Sequence, residues 1–157
     1  MAKSFFVEKG FYSSNKNLSD LERISYKYKD AIFTSYSAFY YLGLTDVIPS
    51  YFYLQTKKNA RKIENTLVKQ MFENSQFYET GKVELVYGWV KIKTFNKERM
   101  FIELVRNKNK IPFDYYKEIM LNYRRVISKL DLEKIEDYAR KLPKTNMVLD
   151  ALQLEVL

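Results

Sequence analysis

Glu98, Arg99, Glu103 and Arg106 gather two carboxylates and two guanidinium groups in one short stretch. Glu98 suits a helix N-terminus electrostatically. Arg99 and Glu103 stand four residues apart, the spacing of a helical ion pair. Two readings follow. The four form surface salt bridges that contribute little stability. Alternatively, Arg99 points inward and clamps a neighbouring hairpin to its helix through carbonyls or a carboxylate, a role that suits a planar group with five donors. Other chemistry is sparse. The 157 residues include no histidine and no cysteine. That removes the commonest general base, thiol nucleophiles, disulfides and most zinc sites. Catalysis would have to use carboxylates, lysine, tyrosine, serine or a hard cation. None of the 19 acids has a lysine two positions later, the strand pattern of many metal-dependent nucleases. The 4 glycines include no phosphate-binding loop. We therefore expect no catalytic residue, no metal and no cofactor.

The elements that position these residues read as strands first and helices last. Phe5 to Tyr12 suits a short strand or entry segment ending near Gly10. Ser19 and Glu22 form a capping-box pattern before Leu21, Ile24 and Tyr28, so a helix is expected from Ser19 to about Tyr28. Ala31 to Thr34 reads as a strand. Ser35 can cap a helix with Ala38, Phe39 and Leu42 inward, stopped by Gly43. Asp46 to Pro49 is a loop, and Tyr51 to Gln55 a strand. The spacing in 58–64 predicts a short helix, and 67–72 a strand. Lys82 to Tyr87 and Trp89 to Thr94 form a hairpin around Gly88. Asn96 caps the helix that carries the charged cluster, with Met100, Phe101, Leu104 and Val105 inward. Further helices are expected from Asp114, from the cap Asp131 to Pro143, and over 147–157. The whole is an α+β domain spanning 1–157: a central mixed sheet, flanking helices and a helical C-terminal half.

Charge is uneven. Residues 57–110 carry 13 Lys and Arg against 6 Asp and Glu, and hold nearly all of the net +8. Such an excess attracts anions, nucleic acid among them. Lys57, Lys58, Arg61, Lys62, Lys91 and Lys93 are the candidate phosphate ligands, with tyrosines and Trp89 nearby for stacking. A solvated basic face is the plainer reading. The start of the chain does not look like a signal peptide, and no stretch looks long and apolar enough to span a membrane. A cytoplasmic protein is expected.

The segment from Ile32 to Asp46, with Ser35, Ser37, Ala38 and Gly43, resembles the Ser-x-x-Ala-x-x-x-x-Gly-Leu segment of the AbiEi-type antitoxins of type IV toxin–antitoxin systems. Tyr51 to Ile63 is similar to the strand that follows in that family. Val90 to Met100 resembles its strand and Glu-Arg signature, matched here by Glu98 and Arg99. Glu103 stands where an aspartate is usual, and Arg106-Asn107-Lys108 continues the likeness. Asp131 to Ala139 resembles its helical tail. The resemblance implies a non-catalytic antitoxin opposing a nucleotidyltransferase-like toxin, without need of a stable complex. It also implies a fold related to a degenerate restriction-endonuclease-like one. Family members usually begin with a winged helix, and Lys9 to Tyr12 looks like the last strand of that domain.

Overall fold

The computed structural model describes residues 9–74 and 76–157, with side chains from Asn17 onward. One mixed sheet runs through the centre in the order β3-β2-β1-β5-β4. Its strands are β1 (Ile32–Phe33), β2 (Phe52–Lys57), β3 (Val68–Glu73), β4 (Lys82–Tyr87) and β5 (Val90–Phe95). β1 is antiparallel to β2 and parallel to β5, while β2 and β3 are parallel. β4 and β5 form the expected hairpin. Gly88 turns it at φ +62°, a conformation that favours glycine.

Helix α1 (Lys9–Lys27) lies on one face. Its Leu21 and Ile24 are three residues apart and pack with Phe33, Leu54, Val90 and Ile92. The opposite face is covered by α3 (Lys97–Arg106). Met100, Phe101, Ile102, Leu104 and Val105 of α3 are all buried, so this helix is apolar almost all round. A helix of that kind must be covered on both sides. The sheet covers one, and α5 (Leu132–Lys141) and α6 (Thr145–Ala151) the other, with α4 (Phe113–Arg125) completing the shell.

Local signals explain most of these boundaries. Asn96 accepts a hydrogen bond from the Arg99 amide, and Asp131 one from the Lys134 amide, as N-caps should. The helix α2 (Ser35–Tyr41) stops at Gly43, φ +77°. The Gly43 amide donates to the Tyr40 carbonyl and the Leu44 amide to the Phe39 carbonyl, which satisfies two carbonyls of the last turn.

Five expectations need correction. The strand expected over Phe5 to Tyr12 falls partly outside the described residues, and 9–12 belong to α1. The likeness of Lys9 to Tyr12 to a last winged-helix strand goes with it. Ser19 lies within α1 and does not cap it. Thr34, not Ser35, holds the cap position of α2, with no side-chain capping bond. Residues 58–64 form no helix. The side chain of Gln70 holds them extended: its carbonyl accepts from the Ile63 amide and its NH2 group donates to the Arg61 carbonyl. That tertiary bond overrides the local helical spacing. Finally, the last helix starts at Thr145 and widens into a π turn over Leu152–Val156.

Tyrosines thread the core and give it a pH limit. Burial, aided by a hydrogen bond with Tyr40, pushes the Tyr87 phenol up from 10 to about 12. Burial likewise raises Tyr41, Tyr115, Tyr116 and Tyr123. These phenols ionise more readily in the unfolded chain, so their contribution is intact below pH 10 and is lost as pH rises through the folded values. Urea midpoints should therefore hold up to about pH 10 and fall between about 10 and 12. Tyr41→Phe should make that fall shallower.

Candidate functional site

Arg99 is 0% exposed, the largest fully buried side chain described. Its Nε donates to Glu103 Oε2 at 2.9 Å. One terminal nitrogen donates to the carbonyls of Phe77, at 2.9 Å, and Thr80, at 2.8 Å. The other donates to Glu73 Oε2 at 3.3 Å. The guanidinium carbon sits 4.4 Å from the centre of the Phe95 ring. Arg106 donates to the same Glu103 oxygen at 2.9 Å. Arg99 thus points inward and ties α3 to β3, to the 77–80 turn and to β5. A charge this deep is tolerated only when hydrogen-bonded and paired, and here four of its five N–H groups have partners. Gly81 makes room for it. A Cβ at Gly81 would lie 2.5 Å from the Arg99 Cβ, and its φ is +85°.

The other residues of the resemblance separate into two groups. Ser37 is buried, accepts from the Tyr53 amide at 2.9 Å and donates to the Tyr51 carbonyl at 3.2 Å, fastening α2 to β2. Ala38 is packed in the core and Gly43 ends α2. Glu98 accepts from the Asp131 amide at 2.9 Å and so joins α3 to the start of α5. These four shape the fold. Ser35, Glu103 and Arg106 instead line a cleft of about 450 Å³ between α2, α3, β2 and β3. Ser35 is held at φ +52°, the left-handed region that costs a side-chain-bearing residue about 1–2 kcal/mol.

The basic candidates also divide. Lys57, Arg61 and Lys93 line a second cleft, of about 530 Å³. Lys58, Lys62 and Lys91 are exposed and lie outside it. Lys27, Lys29 and Lys82 complete it, giving six cations against Asp30 and Glu79. Lys57 stands over the Tyr78 ring at 5.7 Å, and Lys93 donates to the Lys29 carbonyl at 2.7 Å. The field is felt by Glu79. Its hydrogen bond and pairing with Lys82, helped by Lys57 and Lys93, hold its carboxyl below the usual range. Lys27 and Lys29 escaped the charge count because they precede the basic segment in sequence. Only the antiparallel return through Ile32 and Gln55 brings them beside Lys57.

The clefts offer cations and aromatic rings to an anionic or planar group; of their carboxylates Glu73, Glu79 and Glu103 are paired, while Asp30 has no ion pair among the described residues. Among the described residues no group of three or more His, Cys, Asp or Glu side chains is placed to hold a metal ion. No helix described is long and apolar enough to cross a membrane. No protein-family model matches this chain, and no curated protein matches it.

Replacing Arg99 should expose how much rests on it. Arg99→Leu leaves Glu73 and Glu103 half-buried without their shared cation, and should cost about 3–5 kcal/mol in urea unfolding. Adding Glu73→Leu should recover part of that loss, since Glu73 is the carboxylate left without a cation, whereas Glu103 keeps Arg106. A double variant as unstable as the sum of the singles would show that the pair is uncoupled.

Proposed function

We propose that this chain is a non-catalytic regulatory protein of the antitoxin kind, opposing a nucleotidyltransferase-type toxin. The observation that supports this reading is the use made of the residues that resemble the AbiEi signature. Ser37, Gly43, Glu98, Arg99 and Glu103 come from two stretches of sequence, yet each ends an element or fastens parts of one folded unit. A signature of that kind marks a shared architecture more than a shared reaction. It fits a protein whose product is a surface. Such an antitoxin would work in the cytoplasm beside its toxin and would need no stable complex with it. The test is growth rescue. Expression of the toxin from the neighbouring reading frame should arrest growth, and co-expression of this chain should restore it without co-purification. Toxicity that persists in the presence of folded chain would overturn the reading.

A second reading is favoured by the six-cation cleft: binding of a polynucleotide backbone. The two overlap, because an antitoxin can act by shielding the RNA that its toxin modifies. Polynucleotide affinity should fall steeply with salt. Changing Lys57, Arg61 and Lys93 together to Ala should lower the slope of log K against log salt by roughly 2 to 3, the value for three lost phosphate contacts. Lys58, Lys62 and Lys91 changed together should alter it less, because they lie outside the cleft. An unchanged slope in the first variant would remove the cleft from the account.

A further inference from the structure

The cleft between α2, α3, β2 and β3 contains a group that the fold leaves unsatisfied. Gln55 is only 4% exposed, it lines the cleft, and its amide nitrogen has no hydrogen-bond partner. Buried polar groups almost always have partners, so an exception at the wall of a cavity points to a partner supplied from outside. Gln55 occupies the middle of β2, opposite Ile32 on one side and Met71 on the other. The Ile32 side chain has no acceptor, and the Met71 thioether, a weak one, does not bond it. Beside it, Tyr36 and Tyr53 meet edge to face at 5.2 Å, which makes one wall aromatic. Lys69, Arg106 and Lys110 line the same space. Glu73 and Glu103 line it too, but both are bonded to Arg99, and Glu103 also to Arg106. The uncommitted charge of the cleft is therefore positive.

An aromatic wall, a primary amide and a cationic rim together describe a small set of ligands. The ligand is planar, has a donor–acceptor edge and bears an anion. A glutamine amide offers a donor and an acceptor side by side and matches the edge of a nucleobase. Its terminal torsion is broad, so both ends can be turned to a ligand. Bases stack on tyrosine without need of a particular sequence. Arg and Lys suit the phosphate. The volume of about 450 Å³ lies in the range of small-molecule sites. We infer that this cleft is a binding site for a single free nucleotide, with Gln55 reading the base edge, Tyr36 and Tyr53 holding its face, and Lys69, Arg106 and Lys110 taking the phosphate. The inference does not rest on the antitoxin reading and stands or falls apart from it. The site is also distinct from the six-cation cleft, with which it shares no lining residue.

Equilibrium dialysis of the full chain against the four ribonucleoside monophosphates tests it, with inorganic phosphate and a short single-stranded RNA as further probes. At least one monophosphate should bind saturably, and more tightly than phosphate. Gln55→Leu should weaken that binding roughly tenfold, the factor for one lost hydrogen bond to a buried partner. Because the substitution removes an orphaned buried amide, the variant should melt no lower than the parent. Lys69→Ala with Lys110→Ala, both on the exposed rim, gives a second variant that should also bind more weakly. Lys57→Ala with Arg61→Ala should bind as the parent does. The inference is overturned by any of four results: no monophosphate binds, RNA alone binds, Gln55→Leu binds unchanged, or the Lys57 and Arg61 variant loses as much as the rim variant.

Discussion

A single buried guanidinium holds the two halves of this fold together. Arg99 rises from the first turn of α3 into the space between sheet and helices, where it has no access to water. Its partners come from β3, from the turn before β4 and from its own helix. Phe95, at the end of β5, closes the remaining face. A desolvated cation accepts no partial arrangement, because each missing acceptor leaves part of the charge uncompensated in a medium of low dielectric. The sheet edge, the turn and the helix must therefore be in place together. Hydrophobic contact alone would let α3 slide on the sheet. Arg99 fixes where it stops.

That fixed position creates the cleft on the same side of the sheet. Glu73 and Glu103 are drawn together over Arg99, and Arg106 follows Glu103. β3 is half exposed, and a groove lined by Tyr53 and Gln55 of β2 lies between it and α3. The second cleft arises differently. It forms where the end of α1, the end of β2 and the β4–β5 hairpin meet, and its cations are gathered by topology more than by any one bond. Under the readings proposed above, one groove takes a compact planar anion and the other an extended polyanion.

Much of this was legible in the sequence because it is local. The caps Asn96 and Asp131, the stop at Gly43 and the hairpin at Gly88 depend on residues a few positions apart. The inward clamp by Arg99 was one of two readings, since a residue with charged partners on its own helix could as well face water. What decides between them is Glu73 and the carbonyls of Phe77 and Thr80, all well upstream. Gln55 gave no signal at all. An amide in a strand is unremarkable until the strands on either side are known. The expected helix at 58–64 failed for a similar reason, because Gln70 claims that segment only after β2 and β3 have paired. Likewise, three of the six lysines and arginines singled out as phosphate ligands meet in one cleft, and three of its cations had not been singled out.

The two connections flanking β3 are under opposite constraints. The one before it crosses the surface without regular structure, anchored by a side chain at its far end. The one after it supplies two carbonyls to a buried charge and brings Gly81 against Arg99 with no space for a methyl group. Among descendants of this sequence, the first connection is free to change length and composition at little thermodynamic cost outside Arg61 to Ile63, which Gln70 holds. The second is not. Lineages should diverge more in 58–66, outside the two backbone groups held by Gln70, than in 77–81, whose length and glycine should be kept. A comparison that aligned such relatives by overall similarity would be misled by the variable crossover, and one anchored on the short invariant turn and the arginine that fills it would find them.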